Sequence, residues 1–151
     1  MGRLQAIARK AAARAPMESL ETVEISLEAG LAGDHRGTSL KRQVTVLTRE
    51  GWATACRLLS QDIAWTVRRA NLFISGVPLT GHVGAVLEVG PVRLEITGEC
   101  APCARMDEQV PGLRLALAPA WRGGVTARVL SGGAIKRGDD VRLLSPAGLP
   151  L

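Results

Sequence analysis

The stretch VLEVGPVRLEI, residues 86–96, constrains the fold most. Val86, Leu87 and Val89 precede a Gly90–Pro91 turn, and Val92, Leu94 and Ile96 alternate with polar residues after it. Side chains alternate between the two faces of a strand, so this pattern predicts a β-hairpin with one face buried. A chain with such a hairpin must cover that face and protect its edges. RLQAIA near the N-terminus alternates through Leu4, Ala6 and Ala8, and ESLETVEISL predicts a second strand. RQVTVLT is a β-branched run, and RRANLFISGVPL predicts a strand turning at Gly76. GGVTARVLSGGAIKRGDDVRLL predicts two more strands around a Gly132–Gly133 turn. These strands lack βαβ alternation. They predict a mainly β fold, a closed or nearly closed β-barrel with a few short helices.

Two helices are expected. REGWATACRLLS places Trp52, Ala55, Cys56 and Leu59 at helical spacing, with Thr48 before it as an N-cap. Cys56 therefore reads as a buried apolar residue. PGLRLALAP predicts a short helix begun by Pro111 or Gly112 and stopped by Pro119. The 151 residues contain no repeat or linker and fit a single domain over 1–151. MGRLQAIARKAAARAPM is Arg-rich and free of acids, as transit peptides are. Its alternation favours a first strand followed by a basic loop.

The net charge of +5 favours anionic partners. Only four aromatics are present, Trp52, Trp65, Trp121 and Phe73, too few for the stacking platforms of a single-strand nucleic-acid binder. No nucleic-acid partner is expected. No apolar run approaches a membrane span, so no membrane partner is expected either. Three cysteines are an odd number without a secretory leader, which points to a reducing cytoplasm.

Two of those cysteines lie in TGECAPCARMDE, residues 97–108. A dithiol redox pair fits locally, because a strand precedes it and a short helix can follow. The chain lacks the βαβ elements that a thioredoxin-like fold needs after the pair. Zinc fits poorly: one C-x-x-C supplies two ligands, and His35, His82 and Cys56 are not at metal-ligand spacing. The third chemistry is one principal thiolate in a basic pocket, with Cys103 solvent-accessible and Arg105 two residues on. Arg68, Arg69, Lys41, Arg42 and Arg122 are candidates to converge on it. Such a sulfur is a soft metal ligand or a nucleophile toward sulfur. Asp34 and His35 read as turn caps in the glycine loop, His82 as exposed polar surface, and Asp107 and Glu108 as caps of the following helix.

The ordered segments GLAGDHRG, RQVTVLTREGW, RRANLFISGVPL, GAVLEVGPVRLEITGECAPCARMDE and WRGGVTARVLSGGAIKRGDDVRLL together resemble the MOSC domain, the C-terminal domain of molybdenum cofactor sulfurases. The resemblance runs over about residues 3–144 and is closest to the short, stand-alone bacterial form. It implies a barrel of the pyruvate-kinase β-barrel-like type with a cysteine near the mouth, here Cys103 after Pro102. That residue would carry sulfur as a persulfide or ligate molybdenum. The cofactor implied is molybdopterin carrying molybdenum; the pyridoxal-phosphate domain of the sulfurases is absent, so no pyridoxal phosphate is expected. The implied partners are an anionic pterin-type ligand and a sulfur donor such as a cysteine desulfurase, or a molybdoenzyme. For such a ligand Arg69 and Asn71 offer a cation and an amide, and Lys41, Arg42 and Arg105 offer cations for phosphate. Arg122, Gly123 and Gly124 offer a cation and a backbone able to approach an anion. Cys100 lines the same stretch. Two other readings stay open: a dithiol redox protein using Cys100 and Cys103, and a non-enzymatic accessory barrel.

Overall fold

A computed structural model describes residues 2–151. In chain order its elements are β1 (Gly2–Arg9), β2 (Glu18–Leu20), β3 (Thr22–Ser26), β4 (Gly30–Leu31), β5 (Val44–Thr48), α1 (Arg49–Leu58), β6 (Leu72–Ser75), β7 (Val86–Val89), β8 (Val92–Glu99), α2 (Ala104–Gln109), α3 (Leu113–Leu117), β9 (Val125–Ser131), β10 (Gly133–Lys136) and β11 (Asp140–Leu144). Short 3-10 turns occupy Trp65–Arg68 and Pro119–Trp121.

Seven strands close a barrel in the order β1, β11, β7, β8, β9, β5, β6 and back to β1. Every neighbouring pair is antiparallel except β5 and β6. A parallel pair cannot be joined by a tight turn. Here α1 and the Trp65–Arg68 turn make the crossover. β2 extends the sheet beyond β1, while β10, β3 and β4 form a separate small sheet. The mainly β barrel expected from the sequence is the fold observed.

The barrel interior is aliphatic: Leu4, Ile7, Val46, Leu72, Ile74, Leu94 and Ile96 are each at most 1% exposed. The hairpin read at Gly90–Pro91 is β7 and β8, with Leu87 opposite Leu94. A second apolar cluster covers the outer wall. Leu47 of β5, Trp52 and Ala55 of α1, Met106 of α2 and Leu113 and Leu117 of α3 pack there. Phe73 joins them and stacks on Trp65 at 5.0 Å between ring centres. Cys56 packs against this cluster half-buried, its thiol 3.9 Å from the Ile63 carbonyl oxygen. Thr48 caps α1 as expected: its hydroxyl accepts from the Gly51 N–H at 3.1 Å.

Three local expectations are corrected. The pairing of β1 with β6 shifts register between Leu4 and Ala6. That irregularity sends Ile7, rather than Ala6, to the core. ESLETVEISL breaks into β2 and β3, which pair with different strands, β1 and β10. The segment after Gly124 forms three strands instead of two, because β10 leaves β9 to pair with β3.

Candidate functional site

The ends of β1 and β8 and the starts of β5 and β6 converge on a cavity of about 520 Å³. Its walls bring together both cysteines of the C-x-x-C stretch and side chains from four separate chain segments. The polar frame beneath it is built around two buried residues, Asn71 and Arg68.

Asn71 is 4% exposed. Its amide Nδ2 donates to the Ala8 carbonyl oxygen and to Asp34 Oδ1, both at 3.2 Å. Its Oδ1 accepts from the Thr45 N–H at 3.0 Å and the Thr45 hydroxyl at 3.1 Å. An amide offers two donors and two acceptor sites, so this one is fully engaged within the protein. Asn71 therefore ties β1, β5 and the glycine loop together. The expected role as an amide donor to a ligand is not what its bonds allow. Asp34, read as a turn cap, fills that role and more: Oδ1 also accepts from the Lys10 N–H at 3.1 Å and Oδ2 from the Arg36 N–H at 3.2 Å.

Arg68 is 9% exposed and reaches three segments. Its Nε donates to the Gly123 carbonyl oxygen at 2.9 Å. Its Nη2 donates to the Cys100 carbonyl oxygen at 2.6 Å and to Cys100 Sγ at 3.2 Å. Its Nη1 lies 3.9 Å from Met106 Sδ. The next residue, Arg69, adopts a left-handed backbone with φ 64° and donates from Nη2 to the Ala15 carbonyl oxygen. That turn sends two adjacent arginines in different directions, Arg68 inward and Arg69 toward the basic loop after β1.

Six cationic side chains line the cavity, Lys10, Arg36, Arg42, Arg68, Arg69 and Arg105, against two acidic ones, Asp34 and Glu99. Lys10 shows what that excess does. Burial, then the charges of Arg69, Arg36 and Arg105, hold its amine below the ordinary lysine value, with Asp34 opposing them. A cation in this state gains when an anion arrives to offset its neighbours.

The residues singled out from the sequence separate into two groups. Arg42, Arg69, Asn71, Cys100, Cys103, Arg105 and Gly123 line the cavity. Cys103 is exposed and Cys100 half-buried. Lys41 and Arg122 do not line it. Lys41 is exposed, and its carbonyl oxygen accepts from the Thr97 hydroxyl at 2.5 Å. Arg122 turns to α3, where Nη1 donates to the Ala116 carbonyl oxygen at 3.1 Å. Gly124 also serves the frame: its N–H donates to the Trp121 carbonyl oxygen at 2.9 Å, and a Cβ there would stand 2.3 Å from the Val46 carbonyl oxygen. Gly123 permits close approach, since a Cβ would fall 2.8 Å from the Cys100 carbonyl oxygen. Asp107 serves the following helix as expected: its Oδ1 accepts from the Arg114 N–H at 3.0 Å in the first turn of α3. His82, expected on the surface, is half-buried.

Sequence reasoning missed Lys10, Arg36 and Gln43. The first two come from a strand end and a glycine loop that meet only in the folded barrel. Gln43 is buried and donates to the carbonyl oxygens of Leu27 at 2.7 Å and Gly37 at 3.1 Å. It also accepts from the Val129 N–H at 2.9 Å, fixing the loop that carries Asp34 and Arg36 onto the barrel. A polar residue directly before the β-branched run was the available signal. Among the described residues no cluster of three or more His, Cys, Asp or Glu side chains is arranged to hold a metal ion. Nor, among the described residues, is any helix long and apolar enough to cross a membrane.

Comparison with known proteins bears on the fold and the family. The YuaD protein of Bacillus subtilis superposes with a TM-score of 0.78 at 18% identity, covering 93% of this chain and 94% of that one. YiiM of Geobacillus stearothermophilus gives 0.75 at 14% identity over 99% of this chain and 80% of that one. YiiM of Escherichia coli gives 0.70 at 15% identity, over 95% and 70% respectively. No curated protein matches in sequence. Residues 32–142, from the glycine loop into β11, match the MOSC domain, and the chain belongs to that family.

Proposed function

We propose that the cavity takes a phosphorylated pterin of the molybdenum-cofactor type and presents cysteine sulfur to it. The observation that carries this reading is the convergence of Cys103 and the cationic side chains on one cavity. A volume of about 520 Å³ lies within the range of small-ligand sites. The donor set fits the group: a guanidinium fork and an ammonium suit phosphate, and a thiolate suits a soft metal. Lys10, Arg36, Arg42, Arg69 and Arg105 would hold the anionic part, and Cys103 would face the metal. When bound, the cofactor supplies a redox-active metal held through a dithiolene. The chain's own residues bind and orient it. Arg68 and Asn71, committed to the frame, fix the walls.

Purification from a molybdenum-replete host, followed by metal and pterin analysis, tests this reading. The wild type is expected to carry both, and Cys103→Ala to retain pterin with much less molybdenum. Absence of pterin from both proteins overturns it.

A second reading rests on the exposure of Cys103. An open thiol can accept sulfur from a protein donor such as a cysteine desulfurase and carry it as a persulfide. Incubation with a desulfurase and cysteine is expected to add the mass of one sulfur to the wild type. A Cys100→Ser, Cys103→Ser protein should gain only the background that Cys56 takes up. The three free thiols suit the reducing cytoplasm, where we place the protein.

A further inference from the structure

The guanidinium that touches a cysteine sulfur touches Cys100, not the exposed Cys103. Arg68 is nine-tenths buried, and among the described residues it forms no ion pair with a carboxylate. A buried cation without a counter-charge keeps its attraction for an anion, even where hydrogen bonds to carbonyl oxygens offset the cost of burying it. Guanidinium carries five N–H donors. Three go to Gly123 O, Cys100 O and Cys100 Sγ, and a fourth lies at the long distance of 3.9 Å from Met106 Sδ. One N–H of Nη1 is left over, on a side chain that lines the cavity. The two cysteines therefore differ in kind. Cys103 is open to a donor, whereas Cys100 is half-buried against a cation with donor capacity to spare.

We propose that the two cysteines form a relay, in which sulfur received on Cys103 passes to Cys100 and is kept there beside Arg68. This rests on the sulfur-carrying reading above. The step is a transfer between thiols. Cys100 Sγ attacks the outer sulfur of the Cys103 persulfide, and a new S–S bond forms on Cys100. The S–S bond on Cys103 breaks, and its electron pair stays on Cys103 Sγ, which takes up the proton that Cys100 gives up. One persulfide and one thiol become one thiol and one persulfide, with no net oxidation or reduction. A persulfide is a stronger acid than a thiol, so the product places negative charge on the residue whose sulfur the Arg68 guanidinium already contacts through Nη2.

The test loads the intact chain from a cysteine desulfurase and cysteine, then follows release of the added sulfur to cyanide as thiocyanate. Wild type, Cys100→Ser and Cys103→Ser are compared, with the double Ser variant setting the background from Cys56. Wild type and Cys100→Ser are expected to load at similar rates. Cys103→Ser should load about tenfold more slowly. Wild type and loaded Cys103→Ser should release sulfur about tenfold more slowly than Cys100→Ser, the scale of one charge-assisted hydrogen bond. Release from wild type as fast as from Cys100→Ser overturns the relay while the carrier reading stands. So does loading that liberates sulfide and leaves a Cys100–Cys103 disulfide, the result expected of a dithiol redox pair. If no protein gains sulfur above background, the carrier reading fails and the relay with it.

Discussion

Lys10 sits among Arg36, Arg69 and Arg105 at the mouth of the cavity, and its charge opposes folding while serving binding. Its folded-state value lies below the ordinary 10.5, so the unfolded chain binds more protons than the folded one in the window just under 10.5. The burden is fully present below the folded value and is relieved as pH rises through that window. Lys10→Met is expected to raise the thermal midpoint at pH 7. The gap to wild type should shrink as pH rises toward 10.5. The same variant should bind inorganic pyrophosphate more weakly by isothermal titration calorimetry; unchanged binding would remove Lys10 from the anion site. Arg68 carries the opposite balance. Arg68→Met strips donors from Gly123 O and Cys100 O and should lower stability by ~2–4 kcal/mol in urea unfolding. At this scale the sequence revealed the cysteines, Arg42, Arg69 and Arg105, because chemistry-bearing types crowd into short motifs. It could not separate Arg68 from Arg69, since the left-handed turn that parts them leaves no mark in a run of two arginines. Lys41 and Arg42 are likewise adjacent, yet only Arg42 reaches the cavity.

The elements follow local rules where local rules suffice. Thr48, followed by Glu50 and Gly51, starts α1 by ordinary capping, and Thr48→Ala should cost ~1 kcal/mol in thermal or urea unfolding. The hairpin of β7 and β8 was legible for the same reason: a turn signal and two alternating runs lie within eleven residues. The strands after Gly124 were less so. Nothing between Ser131 and Gly133 states that the next strand leaves β9 for β3; that choice depends on β3, more than a hundred residues earlier. Gly124 is a further nonlocal constraint. It holds φ 93° with its α-carbon against β5, so Gly124→Ala adds both backbone strain and a collision with the Val46 carbonyl. A loss of ~2–4 kcal/mol is expected, read as a lower urea midpoint.

Across the whole molecule, the outer face of the barrel is laced by charge. Glu88 of β7 stands opposite Arg142 of β11 and Arg93 of β8. The hydrogen bond from Arg142, helped by Arg93, holds its carboxyl below the ordinary 4.5 despite partial burial. A depressed carboxylate stabilises the fold above the unfolded value, and that contribution fades as pH falls through the folded one. Glu88→Gln should therefore flatten the drop in thermal midpoint below pH 4.5 relative to wild type; an identical acid profile would assign the drop to other groups. The ring itself is joined by β1 and β11. Gly2 pairs with Val141, and Leu4 exchanges bonds with Gly138 and Asp139. Lys10 follows directly on the strand that makes this seam. During synthesis, then, the first half of β1 has to wait with one side unpaired until β11, more than a hundred residues later, has emerged. A nascent chain stalled before Asp140 would display an unmatched strand border along Gly2 and Arg3.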